Sequence, residues 1–121
     1  MHMLYGISNC DTVKRTRAWL DKHDVIYRFH DFRKQGLEQG TLQTFINAAG
    51  WELLLNRRGM TWRKLSDTDK SDLNEGKALA LMLAHPTVIR RPVLMLDKTC
   101  FKKFHVGFQE AEYQNLFSAK E

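Results

Sequence analysis

Long apolar runs, clustered cysteines and internal repeats are all missing from this chain of 121 residues. No window approaches the ~18 consecutive apolar residues a membrane span needs, so no membrane association is expected. The opening Met1-His2-Met3-Leu4-Tyr5-Gly6 has no basic stretch leading into an apolar run. It does not read as a secretory signal, and a cytoplasmic location is expected. Cysteine occurs only as Cys10 and Cys100, which excludes a disulfide-dense scaffold. The histidines (His2, His23, His30, His85 and His105) are scattered with no zinc-ligand spacing, so no metal site is expected. Nothing resembles a low-complexity tract or a linker, and the length suits a single domain over 1–121.

Charge is present and unbalanced. Nineteen Lys and Arg face 14 Asp and Glu, a net +5 with a pI near 9.4. Such an excess suits a solvated surface or an anionic ligand, and only the positions of the arginines separate the two.

Hydrophobic patterning gives the element order. Met3 to Ile7 is an apolar run of strand length, interrupted by Ser8-Asn9-Cys10. From Asp11 to His23 the pattern predicts a helix, with Val13, Thr16 and Leu20 on one face and Trp19 beside them. Val25 to Phe32 alternates as a strand does. Strand, helix and strand within about 30 residues form a βαβ unit with parallel strands.

Leu42, Phe45, Ile46 and Ala49 then follow helical spacing up to Gly50, and Trp51 to Leu55 adds an apolar turn. Ser71 is a candidate cap for a helix running to Ala84, which is apolar nearly all round and expected to be buried. Pro86 stops that helix. Val93 to Leu96 is an apolar strand, Asp97-Lys98 a tight turn, and Thr99 to Val106 the returning strand. Phe108 to Ala119 closes the chain as a helix with Tyr113, Leu116 and Phe117 facing inward. The fold class is α/β: a four-stranded mixed sheet covered by helices. This is the thioredoxin-like layout, with a helical insertion at about 38–90 between the second and third strands.

Cys10 follows a strand and opens a helix. The first amides of a helix lack internal partners and its dipole is positive there, so a thiolate at that point is stabilised. Lys14, one turn on, adds positive charge, while Asp11 opposes it. Val13 stands where a second cysteine would complete a CxxC. Redox chemistry at Cys10 must therefore begin with one thiol, and another thiol must resolve the adduct. Cys100, on a predicted strand, is expected to be core filler, leaving that role to glutathione or a protein thiol.

Several blocks resemble the arsenate reductase/Spx family in its YffB branch. They are Tyr5-Gly6-Ile7-Ser8-Asn9-Cys10-Asp11-Thr12, Leu54-Leu55-Asn56-Arg57-Arg58-Gly59 with Trp62-Arg63-Lys64-Leu65, His85-Pro86 with Ile89-Arg90-Arg91-Pro92-Val93, and Val106-Gly107-Phe108. They run in family order over essentially the whole chain. The resemblance implies a thioredoxin-like fold with a helical insertion, Cys10 as nucleophile, and a thiol reductase linked to glutathione or glutaredoxin. It implies a small oxidised thiol or an oxyanion as substrate, no bound cofactor, and a monomer.

The same resemblance makes Pro92 a cis-proline beside the cysteine and makes Arg91 an oxyanion-binding arginine, whose planar fork suits a carboxylate or oxyanion. Asn9, Thr12 and Lys14 flank the cysteine and join the candidate anion-binding set. In an ungapped comparison Asn56 occupies the place of a second family arginine, with Arg57 and Arg58 beside it as substitutes. A third falls at about Gly107, where this chain has none, so arsenate is expected to be a poor substrate.

Two other functions compete with the enzyme. An Spx-like regulatory protein that binds RNA polymerase suits the basic surface, but the redox switch of such proteins uses the CxxC that Val13 breaks. Direct nucleic-acid binding is disfavoured, because Trp19, Tyr27, Phe29 and Phe45 fall on predicted core faces rather than a stacking platform.

Overall fold

A computed structural model describes residues 1–97 and 103–118. They divide into two compact units: one combines residues 1–35 with the chain from Arg91 onward, and the other is Gly36–Arg90. Among the described residues no helix is long and apolar enough to cross a membrane.

The first unit holds the sheet. Strand β1 (His2–Gly6) leads to helix α1 (Asp11–Lys22), strand β2 (Tyr27–Asp31) and the short helix α2 (Phe32–Gln35). After the second unit come β3 (Val93–Met95) and β4 (Phe104–Val106), and α8 (Glu110–Ser118) ends the described chain. Strand order is β2-β1-β3-β4, with β1 parallel to β2 and antiparallel to β3, and β4 antiparallel to β3. This is the expected four-stranded mixed sheet, and the first crossover is a βαβ unit.

Its core follows from the helix stripes. Leu4 and Leu94 of adjacent strands, Trp19 and Leu20 of α1, and Tyr113 and Leu116 of α8 form one buried cluster. Trp19 meets Tyr113 edge to face, ring centroids 5.6 Å apart. Gly6 lets α1 approach β1 closely: a Cβ there would lie 2.8 Å from Val13 Cγ2. Phe108 and Phe117 pack against the cluster from α8 and its approach, as do Val25, Tyr27 and Phe29.

Helices fill the second unit: α3 (Gln39–Ala49), α4 (Trp51–Leu54), α5 (Met60–Lys64), α6 (Asp67–Lys70) and α7 (Glu75–Ala84), then a 3-10 turn at Pro86–Val88. The apolar turn expected after Gly50 is the one-turn helix α4, and it is α7 that leaves the expected course. Ser71 does not cap α7; the cap is Asn74, whose side-chain oxygen accepts from the Lys77 amide at 2.9 Å. Asp72, at φ 52°, breaks the chain between Ser71 and that start. Nor is α7 buried all round, since Ala78, Leu81 and Met82 are buried while Ala80 and Ala84 are exposed.

Strand β2 begins at Tyr27 rather than Val25, leaving Ile26 76% exposed. Most of the predicted Asp97-Lys98 turn and the start of the returning strand, including Cys100, lie outside the described residues.

Candidate active site

Two strand ends and one helix start assemble the site within the sheet unit. Beyond β1 the chain turns through Ile7, Ser8 and Asn9, with the Cys10 amide donating to the Ile7 carbonyl at 3.2 Å. Cys10 is the N-cap of α1, with extended backbone (φ −95°, ψ 126°), and its carbonyl accepts the first helical bond from the Lys14 amide at 2.9 Å. A cap side chain faces the second and third helical amides, here those of Thr12 and Val13.

Burial pushes the half-buried thiol up, but the Val13 amide, a hydrogen bond and the charge from Arg91, and the Thr12 amide outweigh it. The thiol is held below its ordinary value, so more of Cys10 is thiolate at a given pH, the form that reacts. The sequence reading placed the helping charge on Lys14. The charge that acts is Arg91's, and Lys14 is exposed on the outer side of α1.

Arg91 reaches the sulfur because of strand register. Tyr5 pairs with Val93 across the antiparallel β1–β3 ladder, which carries Pro92 and Arg91 to the end of β1 where the cysteine turn begins. The Arg91–Pro92 peptide bond is cis. Arg90 is tied elsewhere, its Nε donating to the Leu53 carbonyl at 3.0 Å. Behind Pro92, the Gly107 amide donates to its carbonyl at 2.8 Å, and Gly107 takes φ 85°. The Gly107 carbonyl in turn accepts from the Tyr113 hydroxyl at 3.3 Å.

A residue that sequence reasoning missed supports the turn from its other side. Asp31, at the end of β2, is only 3% exposed. Its Oδ1 accepts from the Arg33 and Lys34 amides at 2.8 and 3.1 Å, and its Oδ2 from the Ser8 amide at 3.0 Å. Burial pushes this carboxyl up, yet the hydrogen bonds from Ser8, Arg33 and Lys34 prevail and hold it below the usual carboxylate range. The available signal was an aspartate at a strand end directly before a short polar helix, a common capping arrangement. A cavity of about 290 Å³ lies beside it, lined by Ile7, Ser8, Asn9, Asp31, Arg33 and Lys34.

Cys10, Thr12, Arg91 and Pro92 are therefore brought together as expected, with Asn9 exposed in the turn. Arg57 and Arg58 belong to the helical unit. There the Arg57 guanidinium lies 5.9 Å from the Trp51 ring centroid and 5.8 Å from that of Trp62, within cation–π range. Arg58 is exposed, and its amide donates to Asn56 Oδ1 at 3.1 Å. Among the described residues no group of three or more His, Cys, Asp or Glu side chains is placed to hold a metal ion.

Comparison with known proteins matches the chain to a family and to solved structures. The sequence model of the ArsC family matches residues 5–116. A solved structure named YFFB is 44% identical, covering 96% of this chain and 98% of its own, with a TM-score of 0.89. An arsenate reductase (ArsC) related protein from Brucella melitensis is 45% identical with a TM-score of 0.75, covering 96% of this chain and 93% of its own. The global transcriptional regulator Spx of Streptococcus mutans is 28% identical over 114 residues, 93% of this chain and 80% of that protein.

Proposed function

Because the chain belongs to the ArsC family, we propose that it is a glutathione- or glutaredoxin-linked thiol reductase working through the single nucleophile Cys10. The observation that carries this reading is Cys10 at the start of α1 with the Arg91 guanidinium beside it. On a mixed disulfide of glutathione and a small thiol, the Cys10 thiolate attacks the glutathione sulfur. The S–S bond breaks, the small thiol leaves as thiolate and takes a proton from water, and Cys10 carries glutathione. A second glutathione, as thiolate, attacks that adduct. Oxidised glutathione departs and the Cys10 thiolate is restored. One disulfide is reduced and one formed, so electrons balance.

Arg91 stabilises the thiolate at both ends of the cycle. Val13 in place of a second cysteine leaves resolution to an outside thiol. Gly107, with no side chain to bind an anion, favours disulfides over arsenate.

Mass spectrometry after incubation with oxidised glutathione tests the nucleophile: a glutathionyl adduct on Cys10 is expected, and an adduct confined to Cys100 would refute it. Turnover of arsenate against a small mixed disulfide, both with glutathione, tests the substrate class. Efficient arsenate reduction would overturn the preference for disulfides.

A second reading, an Spx-like regulator binding RNA polymerase, draws on the likeness to the Streptococcus mutans protein. Retention of purified RNA polymerase on the immobilised chain would favour it over the enzyme.

A further inference from the structure

We infer that Asp31 is a positioning residue for Cys10: through Ser8 it fixes the turn that sets the sulfur against the α1 amides and Arg91. The inference rests on the reading of Cys10 as the working nucleophile. Its basis is the division of labour between the two carboxylate oxygens. Oδ1 takes the Arg33 and Lys34 amides and so caps α2, a local task. Oδ2 takes the Ser8 amide, 23 positions away and two before the cysteine.

Within the turn the Cys10 amide bonds the Ile7 carbonyl, so a shift of Ser8 moves the peptide units on both sides of it. The thiolate is stabilised by Val13, Thr12 and Arg91, all of which require the sulfur at the cap position. An ionised carboxylate is the one side-chain group that accepts on both oxygens with no donor to oppose a third amide. The charged groups around the turn are Arg91 at the entry to β3, Asp11 and Lys14 on α1, and Arg33 and Lys34 after β2.

Asp31→Asn separates the two tasks. Its remaining oxygen can keep the Arg33 and Lys34 amides; its NH₂ can still donate to the Ser8 hydroxyl but meets the Ser8 N–H donor against donor, so the bond to the turn's backbone is lost. In a Cys100→Ser background only Cys10 alkylates. The pH midpoint of iodoacetamide alkylation is measured for that protein and for its Asp31→Asn form, with near-UV circular dichroism to establish folding.

Positioning predicts a midpoint higher by about half a unit to one unit, hence roughly three- to tenfold less thiolate at pH well below the midpoint. If Asp31 acted only as a nearby negative charge, its removal would lower the midpoint. If it only capped α2, the midpoint would stay. Either result overturns the inference. Should Asp31→Asn fail to fold, Asp31→Ser serves: its hydroxyl can cap α2 but is too short to hold Ser8, and the same rise is expected. Alkylation requires no reductase turnover, so a failure of the proposed activity would not be mistaken for a failure of this inference.

Discussion

The sheet unit and the helical unit use arginine differently. Arg91 stands at a strand entry, where its guanidinium lies beside the Cys10 sulfur and helps hold that thiol below its ordinary value. Arg57 lies within cation–π range of two indoles, and its neighbour Arg58 is exposed. Each belongs to a pair of adjacent arginines in sequence, Arg90-Arg91 and Arg57-Arg58, and the first pair straddles the boundary between the units. What separates them is placement: the β1–β3 ladder fixes Arg91 at the end of β1, beside the turn that bears Cys10, whereas Arg57 and Arg58 follow the isolated bridge of Leu55 with Ile89 inside the helical unit. A basic dipeptide acquires a chemical role from the element that aims it.

Substitutions can break that contrast, and their expected effects fall in order. Cys10→Ser should abolish both glutathionylation at position 10 and any reductase turnover, measured by mass spectrometry and a coupled thiol assay. Arg91→Ala should lower turnover about ten- to a hundredfold and raise the Cys10 alkylation midpoint, since it removes a charge-assisted hydrogen bond to the thiolate. Arg91→Lys should recover only part, because a point charge replaces a planar fork.

Gly6→Ala should cost about 1–3 kcal/mol of stability in denaturant unfolding, because the new methyl meets Val13 at 2.8 Å and α1 must give way. Wild-type stability should fall as acid is added. Asp31 is held below its unfolded value of ~3.9, so its contribution is present above that value and is lost as pH drops through the lower folded one. Asp31→Asn should lack that component of the acid transition. The smallest effect belongs to the helical unit: Arg57→Ala should cost about 0.5–1 kcal/mol and leave the Cys10 midpoint in place. A raised midpoint would mean that Arg57 acts on the thiol after all.

Legibility in sequence follows the same division. Strand β1 was readable as an apolar run of strand length, and α1 and β2 because each shows its period, with Val13, Thr16 and Leu20 marking one face of the helix. Cys10 was readable because it stands between a strand and a helix, whereas Arg91 and Pro92 were legible only through the family resemblance. Asp31 was not, since its decisive partner, Ser8, is remote in sequence and the bond uses a backbone amide that any residue but proline supplies.

In the helical unit, α5 and α6 span five and four residues, too few for an apolar stripe. The cap of α7 was misread because Ser71 and Asn74 both suit capping, and only the positive φ at Asp72 places the start at Asn74.

Position 107 bears on how readily this protein could change its substrate. Its backbone sits at φ 85°, its amide is committed to Pro92, and a Cβ added there would lie 3.0 Å from Gln109 Nε2. An arginine introduced at that position would enter a conformation that costs an L-residue roughly 1–2 kcal/mol before it bound anything. A single mutation toward an oxyanion reductase therefore starts downhill in stability, and a lineage or an engineer would first have to remodel the approach to α8. The backbone at Gly107 thus makes a cation costly to introduce there.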